Sequence, residues 1–253
     1  MFEIDQKARR LSDEEKEQYM KKGYTTGLPV FSENAVNDLH NWYDELSSKL
    51  PPDIDINKTN MWHKASKKFH DLCRTPAILD YVEDLLGPNF VQWGGQFFSK
   101  EPKDGSVVPW HQDAQYWPLN PSNAVTVWLA VFDTDEENGA MQFLPGSHKV
   151  GHIPWKESSE ASVLNQQIKD ISMFDKPFSN NLKAGEYSLH SSLLVHGSPK
   201  NQSSRRRCGL TIRYAPQDVV PLSPNYSEMS YFVSGDITAP HWQDNLPPSK
   251  YFL

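Results

Sequence analysis

The chain has 253 residues, of which 38% are apolar and 12% aromatic, and its formal net charge is −7. This length and apolar content allow one or two domains with a full core and argue against a disordered chain. The acidic balance disfavours a nucleic-acid partner, which would favour a basic face, and only two cysteines are present, which disfavours a disulfide framework.

The N-terminal part, residues 1–88, is predicted to be largely helical and to contain three main helices. Ser12 can cap the first helix, and Gly23 is suited to end it. Ser32 can cap the second helix, in which apolar residues recur every three or four positions. Thr75 precedes the third helix, where a proline occupies the first turn.

The central part, residues 89–216, consists of short stretches rich in β-branched and aromatic residues, separated by turn signals such as KDG, ENG and LPGS. It is predicted to be a β-rich core. Within it, residues 155–182 are polar and lack periodicity, which favours a lid-like insertion. Residues 217–253 contain five prolines from position 221 onwards, so an irregular C-terminal segment is expected. These parts together predict a single domain, 1–253, that is mainly β with flanking helices.

Two features bear on the compartment. The longest strongly apolar run, VWLAVF at 127–132, is too short to cross a bilayer. The first ten residues, MFEIDQKARR, lack the apolar region of a secretory signal. We therefore expect a cytoplasmic protein with no membrane partner.

The stretch PWHQDAQYWP, residues 109–118, places His111 and Asp113 two positions apart. Residues i and i+2 of a strand point to the same face, so both side chains can reach one metal ion; a turn on a well-packed surface is the alternative. Among the other histidines His196 is the favoured third ligand, because it ends the apolar run SLLVH and precedes Gly-Ser. Two histidines and one carboxylate with open positions opposite form the facial triad of non-haem Fe(II) oxygenases.

Oxygenases that use 2-oxoglutarate also need a cation for its distal carboxylate, and the guanidinium fork of arginine matches it. Arg207 follows His196 by eleven residues, and Arg205 and Arg206, next to it, are expected to be solvated surface charges. Arg213 shares a face with Arg207 only if no bulge intervenes. It could contact the substrate or form a structural salt bridge.

The segments HQD, LPGSHK and HGSPKNQSSRRR occur in this order, and with them the chain resembles the phytanoyl-CoA dioxygenase family of Fe(II)/2-oxoglutarate oxygenases, which includes ectoine hydroxylases. The resemblance spans about residues 20–216. It implies a double-stranded β-helix core of the jelly-roll or cupin-like type, with Fe(II), 2-oxoglutarate and O₂ at its centre. It also implies that His111, Asp113 and His196 form the catalytic metal site. Halogenases of the family replace the aspartate by glycine or alanine, so the presence of Asp113 implies hydroxylation or another iron-dependent oxidation rather than halogenation.

The same resemblance assigns the cosubstrate and substrate contacts. Arg207 would hold the distal carboxylate of 2-oxoglutarate, Ser198 would assist it, and Gln96 would touch the cosubstrate. Trp117 would line the substrate pocket, with Tyr116 next to it, while Arg213 remains a candidate substrate contact. His190 is expected to be a packed, hydrogen-bonded histidine.

The substrate remains open at this point. A small polar molecule is favoured: an aminoalkylphosphonate, an amino-acid-like carboxylate, or a quaternary ammonium held by aromatic rings. Hydroxylation of an acyl-CoA or a natural product is the alternative within the family. Outside it, the same residues suit a zinc-dependent hydrolase or a non-catalytic 2-oxoglutarate sensor. The sequence does not give the oligomeric state.

Overall fold

The computed structural model of the protein describes residues 2–158 and 162–249. The helices in these ranges are α1 (Asp13–Lys22), α2 (Glu33–Lys49), α3 (Trp62–Ala65), α4 (Lys67–Leu72), α5 (Pro76–Leu86) and α6 (Pro224–Ser227). The strands are β1 (Tyr24–Pro29), β2 (Phe90–Lys100), β3 (Val108–His111), β4 (Leu119–Asn120), β5 (Val125–Ala130), β6 (Gln142–Phe143), β7 (Trp155–Glu157), β8 (Gln166–Ile168), β9 (Phe178–Ser179), β10 (Glu186–Ser191), β11 (His196–Ser198), β12 (Arg207–Pro216), β13 (Val220–Pro221) and β14 (Tyr231–Ser234).

Two antiparallel sheets make up most of the β structure. The larger has six strands in the order β1-β10-β5-β12-β2-β14, and the smaller has four in the order β3-β11-β6-β9. Two further pairs, β13-β4 and β7-β8, are separate two-stranded sheets. The protein is therefore mainly β with helices at its N-terminal side, as the sequence predicts.

Strand alternation divides the large sheet into an apolar face and a face that carries polar side chains. In β5, Val125, Val127 and Leu129 belong to the main core cluster together with the buried residues of α2. The intervening Thr126 and Trp128 point the other way and line a cavity. The apolar face is held by ring contacts such as that between Trp42 and Phe97, 5.8 Å apart. The same alternation that builds the core therefore supplies the walls of the cavity.

The three predicted main helices are confirmed. Ser12 caps α1 as expected and forms a capping box with Glu15, and Gly23 ends this helix in the left-handed conformation, with φ of 86°. The side chain of Ser32 accepts a hydrogen bond from the backbone of Ala35 at the start of α2. Helix α5 begins at Pro76 as predicted.

The prediction that residues 1–88 are largely helical misses strand β1. Tyr24–Pro29 pairs with β10 at the edge of the large sheet, with a register shift between Thr25 and Leu28. The segment is short and contains Gly27 and Pro29, which are unfavourable in strand interiors, so it gives no clear strand signal. An edge position with an irregular register tolerates both residues.

The C-terminal segment is less irregular than predicted. Strand β14 pairs with β2 and extends the large sheet, and its residues Tyr231 and Phe232 are buried. The prolines of the segment lie before and after β14 rather than within it, so they do not interrupt the pairing. The polar insertion also contains short strands: β7 pairs with β8, and β9 pairs with β6. Part of this insertion, 159–161, lies outside the described residues.

No helix within the described ranges is long and apolar enough to span a membrane.

Candidate metal and cosubstrate site

The two predicted histidine ligands face each other across the small sheet. His111 is the last residue of β3, His196 is the first of β11, and they are paired in the antiparallel register. Asp113 begins a short 3-10 turn directly after β3, and the intervening Gln112 keeps an extended backbone, so Asp113 lies on the same side as His111. One ligand atom from each of the three residues lies within 4.8 Å of the other two. Residues distant in the sequence are thus brought to one point.

Backbone carbonyls orient both imidazoles. His111 Nδ1 lies 2.9 Å from the carbonyl oxygen of Pro109, and His196 Nδ1 lies 3.0 Å from that of Leu194. Since a carbonyl can only accept a hydrogen bond, Nδ1 carries the proton in each ring and Nε2 keeps a free lone pair. Burial, together with the neighbouring His111, lowers the pKa of His196 to about 3, so this ring is neutral near pH 7. A neutral imidazole with a free Nε2 is the form that binds a metal ion.

The carboxylate is held at the same point by a further hydrogen bond. Asp113 Oδ1 lies 3.7 Å from His111 Nε2 and 3.8 Å from His196 Nε2. Thr126 Oγ1, on strand β5, donates to Asp113 Oδ2 at 3.1 Å. Burial acts to raise the pKa of Asp113, but the nearby His196 and His111 outweigh it and hold the pKa well below its usual range. The carboxylate is therefore ionised, as a metal ligand must be.

His190 is packed beside the three ligands, as predicted. Its ring centroid lies 4.8 Å from that of His196, and its Nε2 lies 3.7 Å from Asp113 Oδ2. The predicted hydrogen bond is not formed, because neither ring nitrogen has a partner within range among the described residues.

Gln112 and Gly197 fix the backbone around the three ligands. The buried Gln112 donates to the carbonyl oxygens of Gly151 and Leu193 at 2.8 and 2.6 Å, so it ties two neighbouring loops to the His-x-Asp segment. Gly197 lies where β3 and β11 approach closely, since a Cβ atom there would lie 2.8 Å from the carbonyl oxygen of Val108. The strands can bring the histidines together because this position is a glycine.

The ligands open into a cavity that also contains three of the six other predicted site residues, namely Ser198, Arg207 and Arg213. Its wall is formed by Phe98, Val108, His111, Asp113, Thr126, Trp128, Met141, His190, His196, Gly197, Ser198, Arg207, Thr211 and Arg213.

Arg207 and Ser198 form a polar corner of this cavity. The Arg207 guanidinium is buried and donates to the carbonyl oxygens of Gly139 and Phe98. These contacts use three of the five N–H groups of the guanidinium, which leaves two without a partner in the described part of the chain. The buried Ser198 Oγ also lacks a partner there. Unsatisfied donors beside a buried cation are suited to bind a carboxylate.

Arg213 lies at the other end of the same strand face. The register of β12 with β2 is regular from Arg207 to Arg213 and shifts only after Arg213, so both arginines face the cavity. At about 3.3 Å per residue their Cα atoms are roughly 20 Å apart along the strand. Arg213 donates to Asn60 Oδ1 at 3.2 Å and to Gln96 Oε1 at 3.1 Å. The alternative of a structural salt bridge is not supported, because no carboxylate of the described residues lies within 4.0 Å of its nitrogens.

Of the two aromatic residues after the His-x-Asp segment, Trp117 packs against Arg213 and Tyr116 lies beside His111. The Arg213 guanidinium lies 5.0 Å from the ring centroid of Trp117 and 5.7 Å from that of Trp93. The ring of Tyr116 lies 6.0 Å from that of His111. The sequence interpretation missed Tyr226 of α6, whose ring lies 4.9 Å from Trp93 and whose hydroxyl donates to the carbonyl of Tyr116.

The remaining predictions concern Gln96, Arg205 and Arg206, which lie outside the cavity wall. The amide of Gln96 is engaged by Arg213 and by the carbonyl oxygen of Asn57, and Gln96 is not among the cavity-lining residues. Its contact with a cosubstrate stays a prediction. Arg205 and Arg206 lie at the surface, where they form ion pairs with acidic side chains, as expected.

Thr126 and Trp128 also escaped the sequence interpretation. They are the even-numbered residues of an otherwise apolar strand, and a threonine and a tryptophan on one face could have been recognised as a polar face by the period of two. Their contact with the site depends on the pairing of Thr126 with His190 across β5 and β10, which the sequence does not specify.

The chain is similar to several known proteins. Peroxisomal phytanoyl-CoA dioxygenase of Bos taurus is 30% identical over 179 residues, which are 67% of this chain and 52% of the bovine protein. The chain thus spans about half of the length of this relative. A probable alpha-ketoglutarate-dependent hypophosphite dioxygenase of Stutzerimonas stutzeri is 28% identical over 250 residues, covering 89% of this chain and 87% of the relative.

The fold is similar to that of solved structures of related enzymes. The apo structure of the non-heme monooxygenase ThoJ superposes with a TM-score of 0.78 at 25% identity, covering 93% of this chain and 89% of ThoJ. The sequence model of phytanoyl-CoA dioxygenases matches residues 8–209, which is most of the chain. On this evidence the protein belongs to the phytanoyl-CoA dioxygenase family.

Proposed function

We propose that the protein is an Fe(II)/2-oxoglutarate-dependent dioxygenase that hydroxylates a C–H bond of a small anionic metabolite. The observation that carries the proposal is the convergence of His111 Nε2, His196 Nε2 and the Asp113 carboxylate in a cavity that also contains Arg207 and Ser198. Family membership supports the same reaction class.

The donor set fits ferrous iron. Two imidazoles and one carboxylate on one side of a cavity would hold the ion and leave it accessible from the cavity. When bound, the iron would supply the oxidising chemistry by which O₂ and 2-oxoglutarate are consumed and succinate and CO₂ are formed. The residues around it hold the ligands: Thr126 fixes the carboxylate, and the carbonyls of Pro109 and Leu194 fix the two rings.

The free donors of Arg207 and Ser198 would bind the distal carboxylate of 2-oxoglutarate. A guanidinium with two free N–H groups can bind a carboxylate in bidentate fashion. The Ser198 hydroxyl lies two residues after His196, so the cosubstrate would be held next to the metal. Gln96 would act on the cosubstrate or, through its contact with Arg213, on the substrate.

Arg213 favours an anionic substrate over a quaternary ammonium. It is a buried cation without an acidic partner among the described residues, and an anion would compensate its charge. The Trp117 face that could have received an ammonium group is already next to this guanidinium. Trp117 and Tyr116 would instead shape the pocket around a phosphonate or carboxylate. The name of the Stutzerimonas relative, which refers to hypophosphite, is in line with a small anion.

The double-stranded β-helix is proposed as the architecture, and 1–253 as a single domain. Two antiparallel sheets with the two histidine ligands on one and the arginines on the other support this assignment.

One experiment separates this function from its alternatives. Fe(II) and 2-oxoglutarate are added to the protein without air and the weak visible charge-transfer band is recorded; O₂ is then admitted and succinate is measured. An oxygenase gives both signals, a 2-oxoglutarate sensor gives the band alone, and a zinc hydrolase gives neither, so the absence of both would refute the proposal.

The substrate class is tested by adding candidates to the same assay. Phosphonates, amino-acid-like carboxylates and quaternary ammonium compounds are compared for their ability to stimulate succinate formation. Arg213→Met should abolish stimulation by the anionic compounds and leave the anaerobic band with 2-oxoglutarate unchanged. Stimulation by ammonium compounds alone would contradict the assignment of Arg213.

A further inference from the structure

A buried lysine lies behind the polar corner of the cavity. Lys100 is the last residue of β2 and is paired with Arg207 of β12 in the antiparallel register. Its residue surface is only 2% exposed. The ammonium group donates to the carbonyl oxygens of Ser106, Ser198 and Pro199, so all three of its N–H groups have partners.

Lys100 forms no ion pair with a carboxylate of the described residues, although the charge of Asp104 acts on both Lys100 and Arg207. None of the carboxylates in the described ranges lies within 4.0 Å of its ammonium nitrogen, and its partner across the β12–β2 ladder is Arg207. Burial, together with Arg207, lowers the pKa of Lys100 to about 7. Two buried cations paired across a ladder, with Asp104 as the acid acting on both, favour the binding of a further anion near them.

The hydrogen bonds of Lys100 connect it to a residue of the site. By donating to the Ser198 carbonyl at 3.4 Å and to the next carbonyl along the chain, it fixes the end of β11. The Ser198 hydroxyl, which has no partner in the described residues, is positioned by this backbone. A change at Lys100 would therefore act on the corner in two ways, through charge and through the position of Ser198.

We propose that Lys100 is a positioning residue of the 2-oxoglutarate subsite, which fixes Ser198 and adds a second positive charge behind Arg207 for the distal carboxylate. The inference rests on the proposed function. A purely structural role of Lys100 would affect all cosubstrates alike. The proposed role instead requires Lys100 to favour a cosubstrate with two carboxylates over one with a single carboxylate.

The test compares two cosubstrates that differ only in the distal group. 2-Oxoglutarate and 2-oxopentanoate are titrated without air into the Fe(II)-loaded protein, and each dissociation constant is read from the charge-transfer band and, independently, from the rise in melting temperature. Lys100→Met should raise the dissociation constant of 2-oxoglutarate tenfold or more and leave that of 2-oxopentanoate unchanged. Lys100→Arg, which keeps the charge, should retain most of the preference.

One control variant and one substitute variant accompany this test. Lys103→Met removes an exposed lysine from the adjoining turn and should leave both constants unchanged. If Lys100→Met does not fold, Lys100→Gln keeps a donor without the charge and is measured in its place.

Equal weakening of both cosubstrates, or no weakening of 2-oxoglutarate, would overturn the inference and leave the proposed function intact. If the unaltered protein bound neither cosubstrate, the proposed function would fail and the inference with it.

Discussion

The hydrogen bond from Thr126 to Asp113 provides a quantitative test of how the metal site is held. Thr126→Val removes the hydroxyl and keeps the size and β-branching of the side chain. The bond is 3.1 Å long and its acceptor is a largely buried, ionised carboxylate. Hydrogen bonds to charged groups contribute about 1.5–3 kcal/mol, and 1.4 kcal/mol is about tenfold in an equilibrium constant. We therefore expect the dissociation constant for Fe(II) to rise roughly 10- to 150-fold.

The assay is an anaerobic Fe(II) titration, followed by calorimetry, of the unaltered protein and two variants. Thr211→Val is the matched control, because Thr211 lines the same cavity but its hydroxyl donates to the backbone carbonyl of Gln96 at 3.1 Å. Only Thr126→Val should weaken metal binding, and both variants should keep their melting temperature within a few degrees. An unchanged Fe(II) affinity in Thr126→Val, or equal weakening in both variants, would refute the reasoning.

Three further predictions concern Arg207 of the cavity wall and two residues behind it, Gly209 and Lys100. Arg207→Met should raise the KM for 2-oxoglutarate on the order of a hundredfold, because the two free N–H groups are lost, with Fe(II) affinity unchanged in calorimetry; an unaltered KM would assign the clamp to another residue. Gly209→Ala should lower stability by about 1–3 kcal/mol in urea unfolding, because the added Cβ would lie 1.9 Å from Trp128 Cζ2; an unchanged midpoint would mean that the ring moves freely. Since the pKa of Lys100 is about 7 in the folded protein, the unfolded chain binds more protons above that pH, and stability should rise towards pH 9. Lys100→Met should reduce this rise in urea unfolding at pH 7 and pH 9, and equal slopes would contradict the assignment.

The convergence of His111, Asp113 and His196 could be predicted from the sequence because the signals of these residues are local. A His-x-Asp segment with extended backbone puts both side chains on one side wherever it occurs, and His196 ends a recognisable apolar strand. The resemblance to a family pointed to Arg207 and Ser198 as cosubstrate contacts. Both residues line the same cavity as the three converging residues.

The remaining contacts depend on strand register, which the sequence does not specify. Thr126 reaches Asp113 only because β5 pairs with β10 and β12 in one particular alignment. Whether Arg213 shares a face with Arg207 depended on a register shift, and that shift occurs one residue after Arg213. Strand β1 was missed for a related reason, since its pairing at a sheet edge compensates for unfavourable local composition.

The residues of the proposed site come from two different sheets, which affects how the stability of the protein should be measured. His111 and His196 belong to the small sheet, whereas Thr126 and Arg207 belong to the large one. Fe(II) and 2-oxoglutarate, when bound, would be held by residues of both sheets. Unfolding would therefore require their release. Any ligand that binds only the folded state adds about 2.7 kcal/mol at a hundred times its dissociation constant. Purification with chelators would remove the iron and, with it, this stabilisation. Storage stability and melting temperature should therefore be measured on protein to which Fe(II) and 2-oxoglutarate have been added back.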